Sequence, residues 1–378
     1  MKKMMLLFLC TVLFLTSCVE KKHLEQIGIV TAVGFDMLEE EGWLEGTHVL
    51  FQFDPNGANI SQIITTRAKT AKGLMNDASL KTSKKLASGQ LRLVLFGEKI
   101  AQEGAMRLLD TLARDAAIAD MMYIAVSETT ANKVLQANNF EDAPNIGTYI
   151  HQLIEKNVKE EKVPQSTLHD FLHHYYDQSS DPILPIINEE NSKPTIRNLA
   201  VFQDDRMVGS ISVKEGFHLK LLTDKFTAGH LEMVIPPEPF IDKDDKDRHY
   251  NEIKGIYLDL GEITSNANIE VVDVENIEFK VNINIKARIL EISEAIKMED
   301  PKVVKKLGEI IGKNIEQQSE ELIQKLQEMN SDPVGFGLKY QRKVGPEALA
   351  DSRWREIFPQ MKVKVNVDTQ ILRSGIIN

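Results

Sequence analysis

The sequence predicts an α+β fold of three mixed α/β domains, with a long C-terminal helix packed on an antiparallel sheet. Three observations carry this reading. A chain of 378 residues exceeds what one ordinary core holds, so two or three domains are expected. Ile277, Phe279, Val281, Ile283, Ile285, Ala287 and Ile289 alternate on one face of a single run, the period of a long antiparallel strand with one wet side. From Asp300 to Met329, the residues Val304, Leu307, Ile311, Ile315, Leu322, Leu326 and Met329 recur at spacings of three and four or their sums. That is a helical stripe, opened by Asp300 as N-cap and Pro301 at the favoured first position. A coiled-coil partner is the alternative for this helix, but Asn314 and Gln318 interrupt the stripe.

At the amino terminus, Lys2 and Lys3 precede an uncharged, mostly apolar run from Met4 to Leu15, and the small residues Thr16 and Ser17 lead to Cys18. This three-part pattern is that of an export signal. A buried helix or a transmembrane anchor are the alternatives, yet about 12 residues rise only ~18 Å as a helix against a hydrocarbon core of ~30 Å. Leu15-Thr16-Ser17-Cys18 resembles the bacterial lipobox. The resemblance implies cleavage between Ser17 and Cys18, a diacylglycerol thioether on the Cys18 sulfur, and a new amino terminus open to N-acylation. Two acyl chains hold a protein at a bilayer where one anchors only marginally. An ordinary signal-peptidase site beside an incidental cysteine is the alternative. The other cysteine, Cys10, leaves with the signal, so the mature chain is expected to hold no free thiol, disulfide or thiolate metal site.

After a tether at 18–26, an N-terminal α/β domain is expected over 27–190. Ile27 to Asp36 and the run from Thr47 read as paired strands around the solvated Glu39-Glu40-Glu41-Gly42 turn, and Leu91 to Phe96 as a central strand. Ser61 to Leu86 carries Ala, Lys and Leu at helical frequency, and Ala101, Ala105, Leu108, Leu109 and Leu112 form one helical face. A strand from Met121 follows, then helices over Asn145–Val158 and after Ser166 or Thr167. Three prolines between Ser179 and Arg197 suggest a boundary. A middle domain over 191–250 opens with a hairpin around Asp204-Asp205-Arg206, Gly209 being a possible bulge. The C-terminal domain spans 251–378, and Val363 to Asp368 can close its sheet.

Composition excludes several functions. Hydrophobic content of 42% and charged content of 27% are those of a globular protein. The net charge of −11 repels phosphate backbones, so nucleic acid is not an expected partner. His169 to His173 differs from the zinc-protease helix signature by Asp170 in place of Glu. Two histidines four apart can share a metal, but Asp170 is one methylene short, His174 crowds the motif and no third ligand follows. Asp242-Lys243-Asp244-Asp245 lacks the glycine and distal glutamate of a calcium loop. G-x-S-x-G and phosphate-loop patterns are missing, and Gly335 to Gly337 does not extend to a dinucleotide fingerprint. No catalytic residue, metal or cofactor is expected.

The lipobox, then EQIGIVTAVGFD, LRLVLFGEKIAQEGAMRLLDTLARD, STLHDFL with DPILP, AVFQDDRMVGSISVKEG, a long helix, SDPVGFG and WREIFPQMKVKVNVD occur in that order. Together they resemble the Ger(x)C family, which supplies the lipoprotein C subunit of spore nutrient germinant receptors. Leu95 to Glu98 with Ala101 and Gly104, and Asp332 to Gly337 followed by Trp354, match best. One departure is that Val19 and Glu20 stand where the family usually has tryptophan and aspartate. The resemblance implies three α/β domains and a non-enzymatic, lipid-anchored subunit on the extracytoplasmic face of the spore inner membrane. It also implies receptor A and B membrane subunits as partners. A solute-binding lipoprotein of a transporter is the alternative, against which the strand-rich C-terminal part speaks. Arg114-Asp115 and Glu215-Gly216 look like family positions, although a salt bridge and a turn explain them equally.

Overall fold

The computed structural model describes residues 26–52, 60–177, 180–238, 240, 254–345 and 353–372. The signal and lipidation positions, including Ser17, Cys18, Val19 and Glu20, lie outside them, as does Asp242 to Asp247. The described chain is an α+β structure built on two sheets.

The first sheet begins with β1 (Ile27–Met37), β2 (Leu44–Gln52) and β3 (Ile60–Ala68), an antiparallel meander. Helix α1 (Ala71–Leu80) follows, then β4 (Lys85–Ala87), β5 (Leu93–Phe96), α2 (Glu98–Glu103), α3 (Met106–Ala113) and β6 (Tyr123–Ser127). Three further helices, α4 (Ala131–Leu135), α5 (Ile146–Lys159) and α6 (Leu168–Tyr176), lead to the hairpins of β7 (Ile183–Glu190), β8 (Lys193–Gln203) and β9 (Arg206–Ser212). The strand order is β3-β2-β1-β5-β6-β7-β8-β9, with the short β4 beside β1. Contacts from β1 through β5 and β6 to β7 are parallel, and the flanks are antiparallel. Leu93, Val94, Leu95 and Phe96 are fully buried because helices cover both faces of this central strand: α1, α2, α3 and α6 on one side, α4 and α5 on the other.

Two expectations are corrected here. Residues from Ile60 to Ala68 form a strand, and only Ala71–Leu80 is helical. Ile, Thr and Ile at β-branched spacing favour the edge of the meander over a helix. The face from Ala101 to Leu112 is buried as expected, but it belongs to two helices broken at Gly104, whose φ of 124° ends α2.

The second sheet follows α7 (Val213–Thr223) and has the order β10 (Gly229–Ile235), β11 (Ile256–Asp273), β12 (Glu278–Ile292), β13 (Lys362–Leu372). Before β13 come the long α8 (Pro301–Glu328), α9 (Phe336–Val344), α10 (Arg353–Ile357) and a short 3-10 turn. Asp300 caps α8 as expected, its carboxylate accepting Lys302 N at 2.8 Å. Leu307, Ile311, Ile315, Leu322 and Leu326 are buried with the alternating β12 face. β13 joins parallel to β12, register Val365 to Val281. Gly308 and Gly312 let α8 press against the free edge of β13, because a Cβ there would meet Thr369 O at 2.6 Å and Val367 O at 3.0 Å.

The segment expected as a middle domain is divided between the sheets. The tight β7–β8 turn spans residues 190 to 193, so β8 and β9 extend the first sheet while β10 edges the second. Pro185 is tolerated within β7 because pairing with β6 begins one residue later, at Ile186. Helix α7 lies between the sheets with Phe217, His218, Leu219, Leu221 and Leu222 buried, and one apolar core runs from Leu199 and Ile211 to Leu258 and Leu307. Among the described residues no helix is long and apolar enough to cross a membrane.

Candidate functional site at the seam between the sheets

The motif segments that are far apart in sequence meet where the first sheet abuts the end of α8. After α8 the chain turns through Asn330 (φ 49°) and Gly335 (φ 79°), the second a glycine because the left-handed region suits it. Between them, the fully buried Asp332 accepts hydrogen bonds from Gly335 N (2.9 Å), Gly337 N (2.8 Å) and Trp354 Nε1 (3.0 Å). The carboxylate thus caps the first turn of α9 and fixes the indole. Trp354 packs with Phe279, Tyr340 and Phe358 on the inner face of the second sheet.

Asp181, two residues before β7, ties that turn to the first sheet. Its Oδ2 accepts Asp332 N at 2.7 Å, and Asp181 N donates back to Asp332 O at 3.0 Å. Arg355 grips both Asp181 oxygens through Nη1 and Nη2 and reaches Asp204 Oδ1 at 2.8 Å. Ser331 Oγ donates to Phe202 O at 2.6 Å, and Gln203 Nε2 to Asn330 O at 2.9 Å. Every one of these bonds joins a residue of the first sheet to one beyond α8. Burial, opposed by the surrounding N–H donors, pushes Asp332 up to about 7. For Arg355, burial works against the charge, but the bonds to Asp181 and Asp204 outweigh it and raise the pKa.

A second buried aspartate organises the first sheet. Asp36 closes the GFD motif and accepts Ala131 N at 2.7 Å and Asn132 N at 2.8 Å, capping α4. A Cβ at Gly97 would overlap Asp36 Oδ1, which is why the strand β5 ends in Phe-Gly. Burial raises the Asp36 pKa against the two amide bonds that lower it. Asp205 does similar work outside, accepting Met106 N at 3.0 Å beside Gly104.

These carboxylates are engaged by amides, an indole and a guanidinium, so they fasten segments. The histidine motif is dispersed in role. His169 and His173 are exposed, His174 Nδ1 lies 2.9 Å from Ser180 Oγ, and Asp170 forms the capping box of α6 with Thr167. Among the described residues no group of three His, Cys, Asp or Glu side chains is placed to hold a metal. Arg114 pairs with Asp110, and Asp115 with Lys72. Glu215 closes the capping box of α7 with Ser212 and binds Lys325 at 2.8 Å. The pairing of Asp181 with Arg355, 174 residues apart, escaped sequence reasoning; the only signal was that DPILP, SDPVGFG and WREIFP all belong to the recurrent pattern.

The chain matches two family models: the spore germination protein N-terminal domain over residues 20–189 and the spore germination B3/GerAC-like C-terminal domain over residues 197–375. The gap between them holds the β7–β8 turn and the start of β8. Among curated relatives, the spore germination protein GerQC of Bacillus cereus is 27% identical over 99% of each chain. The spore germination protein KC of Bacillus subtilis (strain 168) is 20% identical, covering 98% of this chain and 95% of its own. The crystal structure of the GerBC protein superposes with a TM-score of 0.56 at 15% identity, covering 91% of this chain and 98% of that one, and so shares the fold.

Proposed function

The chain belongs to the Ger(x)C family of spore germination proteins, and from that premise we propose that it is the lipid-anchored C subunit of a nutrient germinant receptor. It is tethered through acylated Cys18 to the extracytoplasmic face of the spore inner membrane. There it docks on the membrane-embedded A and B subunits and serves assembly or signalling without chemistry of its own. The observation that carries this reading is the end-to-end match of both family domains, at 20–189 and 197–375. The seam supports the non-catalytic role, since its buried carboxylates are consumed in holding the two sheets together.

The test replaces Cys18 by Ala in a spore-forming host and follows both nutrient-triggered germination through the cognate receptor and the protein in membrane fractions. Loss of membrane retention together with the response is the expected result. Germination at the wild-type rate with the variant found only in the soluble fraction would overturn the tethered-subunit reading.

A further inference from the structure

On the tethered-subunit reading, the diacylglycerol on Cys18 determines which end of the molecule lies near the bilayer. Gln26, the first described residue, follows Cys18 by eight residues, and a stretch of that length spans at most about 28 Å when fully extended. The start of β1 is therefore held near the lipid headgroups. On the sheet face that α4 and α5 cover, the apolar core reaches Val49, which is fully buried. Ile29 stands opposite Phe51 and Val49 opposite Ile63, so the period of two puts Ile27, Ile29, Phe51 and Ile63 on that same face. Ile27, Ile29 and Phe51 are half-buried, Ile63 is 38% exposed, and none of the four belongs to the apolar cores of the described residues. An apolar patch outside the core marks an interaction or membrane site.

Charge around the patch is one-sided. Lys85 is the partner of Ile27 in the β1–β4 ladder and so projects from the same face, Lys84 packs at Gly28, and Arg92 N donates to Thr31 O. Residues 78–97 carry Lys81, Lys84, Lys85 and Arg92 without a single Asp or Glu, and neither 27–35, 46–52 nor 60–76 holds one, in a chain with 56 of them. The carboxylates that border this region are already matched by cations. Asp77 binds Lys81 at 2.9 Å, Glu45 binds Arg67 at 3.3 Å, and Glu155, which feels the Arg92 charge, binds Lys159 at 2.9 Å. Asp54 lies outside the described residues. A chain of net charge −11 thus turns a cationic, apolar corner towards its own anchor.

We propose that this corner of the first sheet rests on an anionic phospholipid bilayer, with Ile27, Ile29, Phe51 and Ile63 entering the headgroup layer and Lys84, Lys85 and Arg92 meeting lipid phosphates. Apolar side chains beside basic ones are the composition with which a protein lies on an interface, and each cation near an anionic surface adds attraction to that of the acyl anchor. The patch occupies the β1–β3 end of the strand order, whereas the seam lies beyond β7. Lipid contact at the patch therefore leaves the seam uncovered.

The test uses the acylated full chain, purified from membranes and reconstituted on vesicles of equimolar phosphatidylglycerol and phosphatidylcholine that carry a nitroxide lipid. An environment-sensitive fluorophore is attached at Ile63→Cys or, as control, at Asn284→Cys on the exposed face of the second sheet. The nitroxide quenches the Ile63→Cys probe and leaves the Asn284→Cys probe bright. Quenching is lost on phosphatidylcholine alone, and lost again when Lys85→Glu and Arg92→Glu are combined with Ile63→Cys, although the chain still sediments with the vesicles through its anchor. Lys85 and Arg92 are exposed, so the charge reversal leaves the unfolding midpoint unchanged. Quenching at neither position or at both, or quenching that survives either the neutral vesicle or the charge reversal, overturns the proposal. Mass spectrometry of Cys18 separates the two readings. A chain without diacylglycerol that fails to sediment overturns the tethered reading and this proposal with it, whereas an acylated, sedimenting chain with an unquenched Ile63→Cys probe overturns this proposal alone.

Discussion

In the first sheet the parallel centre is covered by helices on both faces, and its strands read as continuous apolar runs. In the second, α7 and α8 cover one face and the other is wet, carrying a row of asparagines in which Asn366 Nδ2 donates to Asn282 Oδ1 at 3.2 Å. The edges differ as well. β13 would expose backbone amides, but Glu316 Oε1 accepts Val367 N at 2.9 Å and Glu320 Oε1 accepts Val365 N at 3.1 Å, which blocks pairing with another chain. The contrast teaches that the centre of the first sheet is held by its own layers, while the second shares an apolar core with α7, β8 and β9, and the far end of its long helix is in addition pinned to the first sheet by polar bonds. The seam therefore adds a polar fastening to the apolar core that the two sheets share.

The strongest way to break this arrangement is Arg355→Met. It leaves Asp181, whose side chain is 1% exposed, without its cation, and loss of one partner of a buried pair costs about 3–5 kcal/mol. Urea unfolding is expected to lose its single transition, the second sheet melting first.

Asp332 gives the seam a pH signature of its own, in the same sense as the raised Asp36 of the first sheet. Its pKa rises on folding from 3.8 to about 7. A carboxyl raised in this way contributes stability below 3.8 that disappears as the pH climbs through about 7. His48 and His218, both lowered by burial to about 4, act in the opposite sense, losing stability as the pH falls through that value. The difference between wild type and Asp332→Asn isolates the carboxyl, and the variant is expected to lose the decline between those pH limits in a denaturation series.

Gly97→Ala probes the first sheet alone. Its methyl overlaps the Asp36 carboxylate, and strain of this kind costs about 1–3 kcal/mol; thermal melting should fall without uncoupling the sheets. The smallest effect belongs to the edge. Glu316→Ala and Glu320→Ala each remove one amide bond, about 1 kcal/mol, and the double variant should self-associate in a concentration-dependent way in sedimentation experiments.

How much of this was legible depended on the range of the interactions involved. The alternation in β12, the stripe of α8 with its Asp300 cap, and the apolar β5 are local patterns, and all three stand. Ile60 to Ala68 was obscured because its β-branched alternation adjoins the alanines of α1, so one window averaged a strand with a helix. The prolines at 182, 185 and 194 suggested a boundary; the β6 ladder starts beyond Pro185, and β7 and β8 pair within the first sheet. The seam itself was invisible in the spacing of residues. Asp181, Asp204, Asp332 and Arg355 sit in four separate segments, each of which reads alone as a solvated turn or surface charge, and only tertiary folding makes them one network.

Native-state hydrogen exchange on the wild-type chain and on Arg355→Met tests most directly whether the seam makes one unit of the two sheets. The most protected amides of β5 and β12 are expected to exchange with the same free energy in the wild type, and in the variant β12 should become less protected while β5 is retained. Equal loss of protection in both sheets, or unequal protection already present in the wild type and unchanged by the substitution, would contradict it.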